Sequence, residues 1–169
     1  MNGRDYEEGI RLYEAGKYAE AIALLEGVLE HLPPGDLNER LTRFHLGEAI
    51  TAHALQLAGA GLDEAIPQLQ AALRYHPDYA DLHFHLGAQY LLRGFYPDAR
   101  MCFDRALAIN PGFSRAIVLR GVVFYALGDT NSAFTEIERG LSRDSRISRE
   151  PFDAARAGAG ASTHAQTLE

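Results

Sequence analysis

Residues 83–111 read HFHLGAQYLLRGFYPDARMCFDRALAINP, and the spacing of glycine, alanine and aromatic residues in this stretch decides the fold. The residues that define the pattern are Gly87, Tyr90, Gly94, Tyr96, Ala99, Phe103, Ala106 and Pro111. Intervals of three and four residues place side chains on one face of an α-helix. Gly94 is typical of a helix end, and Pro97 suits the first turn of the next helix. The stretch therefore predicts two consecutive helices.

The same pattern occurs at both ends of the chain. A shift of 34 residues gives a C-terminal copy with Gly121, Phe124, Gly128, Ala133, Ile137 and Gly140, and with Ser145 in place of the last proline. An N-terminal copy contains Gly9, Leu12, Gly16, Tyr18, Ala21, Leu25, Val28 and Pro33. Because a fixed period of this length is typical of repeat proteins, each copy is expected to be one helix pair stacked on its neighbours.

A middle copy is irregular. Its first half contains Gly47 and Ile50, and its second half contains Ala65, Leu69, Ala72 and Pro77, with six extra residues between the halves. Apolar residues continue at helical spacing into the insertion, so we interpret it as about one and a half extra turns on the third helix. A longer glycine-rich loop at 58–62 is the alternative.

Helix periodicity accounts for the chain up to residue 142, and no strand pattern is present in the sequence. The predicted helices are 3–15, 18–31, 37–58, 63–75, 80–93, 97–109, 114–127 and 130–142. One pair cannot bury its apolar face alone, so the pairs are expected to share a continuous core.

These spacings resemble the tetratricopeptide repeat, closely in 80–111 and more loosely over 3–145. The resemblance implies an all-α, right-handed superhelical α-solenoid of about four helix pairs. The repeat domain is predicted over 2–145, with repeats at 2–35, 40–78 including the insertion, 80–113 and 114–145. A capping helix is predicted over 146–158, where Phe152 and Ala155 would cover the last pair, followed by a disordered tail over 159–169.

Composition limits the classes of partner. The net charge is −7, from 23 acidic and 16 basic residues, so nucleic acid is not an expected partner. The sequence has no run of about 18 apolar residues, which argues against membrane insertion and for a cytoplasmic protein. The single cysteine, Cys102, leaves no internal disulfide, and no catalytic, cofactor or metal-ligand motif is present, so we expect neither an enzyme nor a cofactor or metal.

The resemblance also implies a binding surface, since the first helix of each pair lines a concave groove in this family. In this family, lysine and asparagine at the fifth and ninth positions of the repeat form a clamp for chaperone tails. Here none of the four copies has that pair, and apolar residues are common at the two positions. We therefore predict that a protein or peptide partner is held mainly by Tyr6, Phe44 and Phe84, and that Phe84→Glu abolishes its capture. The predicted groove residues are Tyr6, Ile10, Tyr13, Phe44, His45, Glu48, Phe84, His85, Arg115, Val118, Val122 and Tyr125.

Two alternatives remain open at this point. Residues 1–36 have a net charge of −5 and residues 139–169 of +1, so a homo-oligomer assembled head to tail is one of them. The other is a small secretion-type or assembly chaperone, which the chain resembles in length, acidity and repeat content. His45 and His85 occupy equivalent positions in adjacent repeats, but nothing around them in the sequence has metal-ligand spacing.

Overall fold

The computed structural model describes residues 3–61 and 63–148 of the chain. These residues form eight α-helices and no strand. The helices are α1 (Gly3–Glu14), α2 (Tyr18–Leu29), α3 (Leu37–Ala60), α4 (Ala65–Tyr75), α5 (Ala80–Leu92), α6 (Tyr96–Ile109), α7 (Ser114–Ala126) and α8 (Thr130–Arg143). Each predicted helix is present with ends within two residues of the prediction, and the all-α helical-repeat class is confirmed.

The chain divides into two compact units, Met1–Gln89 and Tyr90–Glu169. In the described residues, the first unit contains α1 to α4 and most of α5, and the second contains α6 to α8. The right-handed superhelix and the repeat boundaries stay predictions.

In the first unit, α1 packs against α2, α2 against α3, and α3 against α4. Leu25, Leu46 and Leu69 are fully buried between them. Gly9 permits the close approach of α1 and α2, because a Cβ atom there would lie 2.8 Å from a methyl group of Leu25. The glycine positions of the pattern therefore mark contacts between helices as well as helix ends.

The insertion lengthens α3 and forms no loop. α3 has 24 residues, twice the 12 of α1, and is continuous through Ala60. Its first turn is capped by Asp36, which accepts a hydrogen bond from the backbone of Asn38, and it ends at Gly61 with φ of 70°. Ala54 and Ala58, in the added turns, are buried, so packing explains why the helix continues.

In the second unit, α7 packs against both α6 and α8. Gly140 allows α8 to approach α7, since a Cβ atom there would lie 2.5 Å from a methyl group of Val118. Arg120 on α7 joins the three helices by charge, donating to Asp104 of α6 at 2.8 Å and to Glu136 of α8 at 2.5 Å. Apolar packing and this ion-pair network hold the second unit together.

The described chain continues for a few residues beyond α8. Residues 145–147 form a turn and bend there, and the capping helix over 146–158 stays a prediction. The backbone of Arg146 donates to Asp144 at 3.0 Å, which fixes this turn. Ile147 packs against the buried cluster of Val118, Ile137 and Leu141. The rest of the predicted capping helix and the predicted tail lie outside the described residues.

Candidate partner-binding surface

Predicted groove residues of α1 and α3 meet in the first unit. The rings of Tyr6 and His45 lie edge to face with their centroids 5.9 Å apart. The ring of Phe44 also lies edge to face with that of His45, with their centroids 5.2 Å apart. Edge-to-face packing is a favoured geometry for aromatic rings, and it gives this part of the surface a defined shape.

Further along the same two helices, Tyr13 of α1 lies within the electrostatic influence of Glu48 on α3. Burial raises the pKa of the Tyr13 hydroxyl, and the negative charge of Glu48 raises it further. Ile10, between Tyr6 and Tyr13 on α1, is half-buried. The structure thus brings together six of the predicted residues: Tyr6, Ile10, Tyr13, Phe44, His45 and Glu48.

The largest apolar exposure in this region lies on one face of α3. Leu37 is 72% exposed, Leu41 43% and Phe44 55%. Their spacings of four and three residues place them in line along the helix, and we call these three residues the α3 stripe. Sequence reasoning identified Phe44 alone. The i, i+4, i+7 spacing was visible in the sequence, but this spacing usually marks a buried face.

The structure corrects the prediction for two groove residues, because their side chains are buried. Phe84 is 2% exposed and Val118 is 3% exposed. Val118 packs into the space above Gly140, where no side chain competes for it. Neither residue presents a side chain to a partner, so the predicted line of anchors from Tyr6 through Phe84 does not form a surface. Phe84→Glu would place a charge in the core and would not test binding.

The other predicted residues are accessible to different extents. In the first unit, His85 is half-buried. In the second unit, Arg115 is exposed, Val122 is half-buried, and Tyr125 is 44% exposed with its ring 6.2 Å from that of Phe134. These residues stay predictions.

A pocket of about 460 Å³ opens beside the α3 stripe. Glu48 Oε1 lies 3.4 Å from His76 Nε2 at its wall, without hydrogen-bond geometry. Thr51 is 8% exposed, and its hydroxyl has no hydrogen-bond partner among the described residues. The loop after α4 therefore meets α3 at a site with unsatisfied polar atoms. The pocket is lined by Glu48, Thr51, Tyr75, His76, Pro77, Asp78 and Tyr79.

The chemistry of Cys102 does not favour a reactive thiol. Burial raises the pKa of this thiol to about 11, and the charge of Asp98 adds to the rise. The thiol is consequently protonated at neutral pH, whereas the thiolate is the nucleophile. Within 3–61 and 63–148, no group of three or more His, Cys, Asp or Glu residues is placed to hold a metal ion. In the same ranges, no helix is long and apolar enough to cross a bilayer.

Comparison with known proteins agrees with the helix pairs and the spacing of their glycines. Residues 52–111 match the family model described as tetratricopeptide repeat. This match identifies tetratricopeptide repeats in that part of the chain. No curated protein matches it significantly.

Several solved structures share the helical-repeat fold of this chain. MamA MSR-1 C2 has a TM-score of 0.55 and 20% identity, covering 84% of this chain and 95% of that one. The first TPR of Spaghetti (RPAP3), bound to the HSP90 peptide SRMEEVD, has a TM-score of 0.59 and 18% identity, covering 69% and 93%. YrrB, a TPR protein with an unusual peptide-binding site, has a TM-score of 0.51 and 20% identity, covering 83% and 68%. At these identities the similarity extends to the fold alone.

Proposed function

We propose that this protein is a non-enzymatic, cytoplasmic interaction module that binds an apolar peptide or the apolar face of an amphipathic helix through its first unit. The α3 stripe is the observation that supports this function best. Its three large apolar side chains are adjacent along one helix face and are exposed to solvent. Soluble proteins seldom leave such a patch uncovered unless it binds something.

The surroundings of the stripe fit this function. Tyr6 and His45 extend the apolar area from Phe44 toward α1. Full burial of a leucine or phenylalanine side chain contributes about 1.5–3 kcal/mol. Because the stripe residues are already partly covered, their combined contribution on binding is on the order of 3 kcal/mol. Polar contacts are then needed to complete a specific interface.

Two of the similar structures are peptide-binding proteins by description, one with the HSP90 peptide SRMEEVD and one with an unusual peptide-binding site. They support peptide binding as a use of the fold. They do not supply the ligand of this chain, since Phe44 and Glu48 here stand where the clamp for chaperone tails has lysine and asparagine. An acidic peptide would meet a carboxylate at Glu48, so an acidic tail is an unfavourable partner.

The proposal is tested by capture from the source cell with the whole protein as bait. The double variant Leu41→Ser/Phe44→Ser removes the centre of the stripe and should lose the captured proteins. Leu127→Ser is the matched control, since Leu127 is 45% exposed in the second unit and belongs to neither proposed surface. Circular dichroism checks that both variants fold. Identical capture by the wild type and the stripe variant would contradict the proposal.

Self-association is a second candidate, favoured by exposed apolar residues of the second unit. Leu92, Phe95 and Met101 are 76%, 52% and 68% exposed. Sedimentation velocity over a range of protein and salt concentrations tests this candidate. A concentration-dependent oligomer that is lost in Leu92→Ser/Met101→Ser supports it, and a monomer under all conditions eliminates it.

A chaperone role stays a prediction that capture of newly made or secreted partners would support.

A further inference from the structure

We propose that the pocket beside the α3 stripe binds an arginine or lysine side chain of the partner, an inference that rests on the proposed function. Glu48 and Thr51, which line the pocket, continue the line of Leu41 and Phe44 at spacings of four and three residues. The rise of 1.5 Å per residue places Glu48 about 6 Å beyond Phe44 along the helix axis. One bound segment can therefore contact both the stripe and the pocket.

The electrostatics of the pocket favour a positive group. Two of its lining residues, Glu48 and Asp78, are carboxylates, and no lysine or arginine lines it. The C-terminal end of α4 at Tyr75 points its partial negative charge toward the same site. Arg43, five residues before Glu48 on α3, does not line the pocket and donates to Glu39 at 2.9 Å, although its charge also acts on Tyr75 at the pocket wall.

The hydrogen-bonding atoms of the pocket call for a ligand rich in donors. The hydroxyl of Thr51 is buried without a hydrogen-bond partner among the described residues, whereas Nε2 of His76 lies 3.4 Å from Glu48 Oε1 and pairs with it by charge when protonated. A buried polar atom without a partner is unfavourable, and a ligand that supplies its hydrogen bond recovers that free energy. Carboxylates accept only, whereas an ammonium group has three donors and a guanidinium group has five. The match between acceptors and donors points to these two cations.

The walls of the pocket suit an organic cation better than a metal ion. Tyr75 and Tyr79 line it, and Tyr79 is 44% exposed. Cations are attracted to the faces of aromatic rings, and guanidinium also stacks on them. Its lining includes three potential metal-ligating residues, Glu48, His76 and Asp78, but they do not form a group placed to hold a metal ion.

The first experiment titrates N-acetylarginine methylamide into the full-length ¹⁵N-labelled protein and follows amide signals by NMR. We expect saturable shifts at Thr51, His76 and their neighbours. N-acetylcitrulline methylamide has the same shape without the charge, and we expect it to bind at least fivefold more weakly. Equal binding of the two compounds, or no shift at these residues, would overturn the inference.

Two variants locate the contact. Glu48→Gln keeps the shape and removes the charge, and we expect about fivefold weaker binding of the arginine compound, the scale of one partly exposed ion pair. Thr51→Val removes the hydroxyl alone and should also weaken binding. Glu26→Gln, at an exposed site on α2, is the control and should leave binding unchanged. Wild-type affinity in a folded Glu48→Gln variant would refute the assignment.

A third measurement separates this inference from the proposed function. A 16-residue helical peptide with three leucines on one face and an arginine one turn beyond them is compared with its citrulline analogue. We expect a fivefold preference for arginine in the wild type and none in Glu48→Gln. Peptides that bind without that preference would overturn the pocket inference and leave the proposed function intact. Binding of the arginine compound but of neither peptide would overturn the proposed function, and with it the assignment to a partner's side chain.

Discussion

Phe44 of α3 and Phe84 of α5 occupy the same position of the repeat pattern in adjacent copies, yet their environments are opposite. Phe44 is 55% exposed beside His45, whereas Phe84 is 2% exposed. His45 and His85, the next residues, contact these rings in nearly the same way, at 5.2 Å in both cases. The local arrangement is therefore conserved within the chain, and tertiary packing decides whether the side chain faces water.

The comparison teaches that a repeat position specifies a helix face and not an exposure. A phenylalanine on that face stabilises the fold when a neighbour covers it and is available for binding when none does. Identical residue types in unlike environments are therefore the most informative pairs to mutate.

The phenylalanine pair gives the largest expected effect. Phe84→Ala should lower the free energy of unfolding by about 3–4 kcal/mol, because it leaves a cavity in the core. Phe44→Ala should change it by less than about 0.5 kcal/mol, as for an exposed site. Urea unfolding followed by circular dichroism measures both. Similar losses for the two variants would remove the distinction between them.

A pair of helical glycines sharpens the same contrast. Gly140→Ala should destabilise the protein by about 1–3 kcal/mol, because its Cβ atom would lie 2.5 Å from Val118 and 3.0 Å from the carbonyl oxygen of Ser114. Gly27→Ala, where a Cβ atom meets nothing within 4 Å, should stabilise it by about 0.5–1 kcal/mol. Thermal unfolding measures the stability of both variants. Changes in stability of the same sign in Gly140→Ala and Gly27→Ala would contradict the packing described for α7 and α8.

The contrast between buried and exposed side chains also predicts the reactivity of Cys102. Burial raises the pKa of its thiol from 9.0 to about 11, so at pH 7.5 its thiolate fraction should be about a hundredth of that of an unperturbed thiol. We expect slow alkylation by iodoacetamide that accelerates as the pH rises, and fast alkylation in urea. Mass spectrometry over time measures the rate. Alkylation of the folded protein as fast as that of the unfolded chain would refute the burial.

The smallest effect is expected at Asp144, where Arg146 donates to both carboxylate oxygens at 2.9 Å. These hydrogen bonds lower the pKa of Asp144 to about 2 from 3.8. A lowered pKa means that the stabilisation is present above pH 3.8 and is lost as the pH falls toward 2. NMR titration of the side chain should place the pKa near 2 and, in Arg146→Gln, closer to 3.8. An unchanged pKa in the variant would show that Arg146 is not the cause.

Much of the fold follows from local sequence. Gly16, Gly94 and Gly128 have φ of 74°, 77° and 87°, and such left-handed positions end helices wherever they occur. The helix ends were predictable because they depend on a few residues nearby in sequence. The length of α3 was predictable for the same reason, since its apolar spacing continues through the insertion.

The surface was less predictable because it depends on residues distant in sequence. The contact of Tyr6 with His45 and the proximity of Tyr13 to Glu48 agree with positions read from the repeat. Leu37 and Leu41 were missed, since helical spacing alone does not distinguish an exposed stripe from a core stripe. The pocket was missed because Tyr75 to Tyr79 reach Thr51 only through the packing of α4 against α3.

The unbroken α3 has a consequence for how partners are told apart. A helix of 24 residues is about 36 Å long, and its regular rise fixes the distances between the side chains that contact a partner. A partner with the right residues at the wrong separation would fill the stripe and miss the pocket. The protein would then select segments by the distance between their apolar residues and their basic residue. Adding or removing one turn of α3 between Phe44 and Glu48 would change which segments bind.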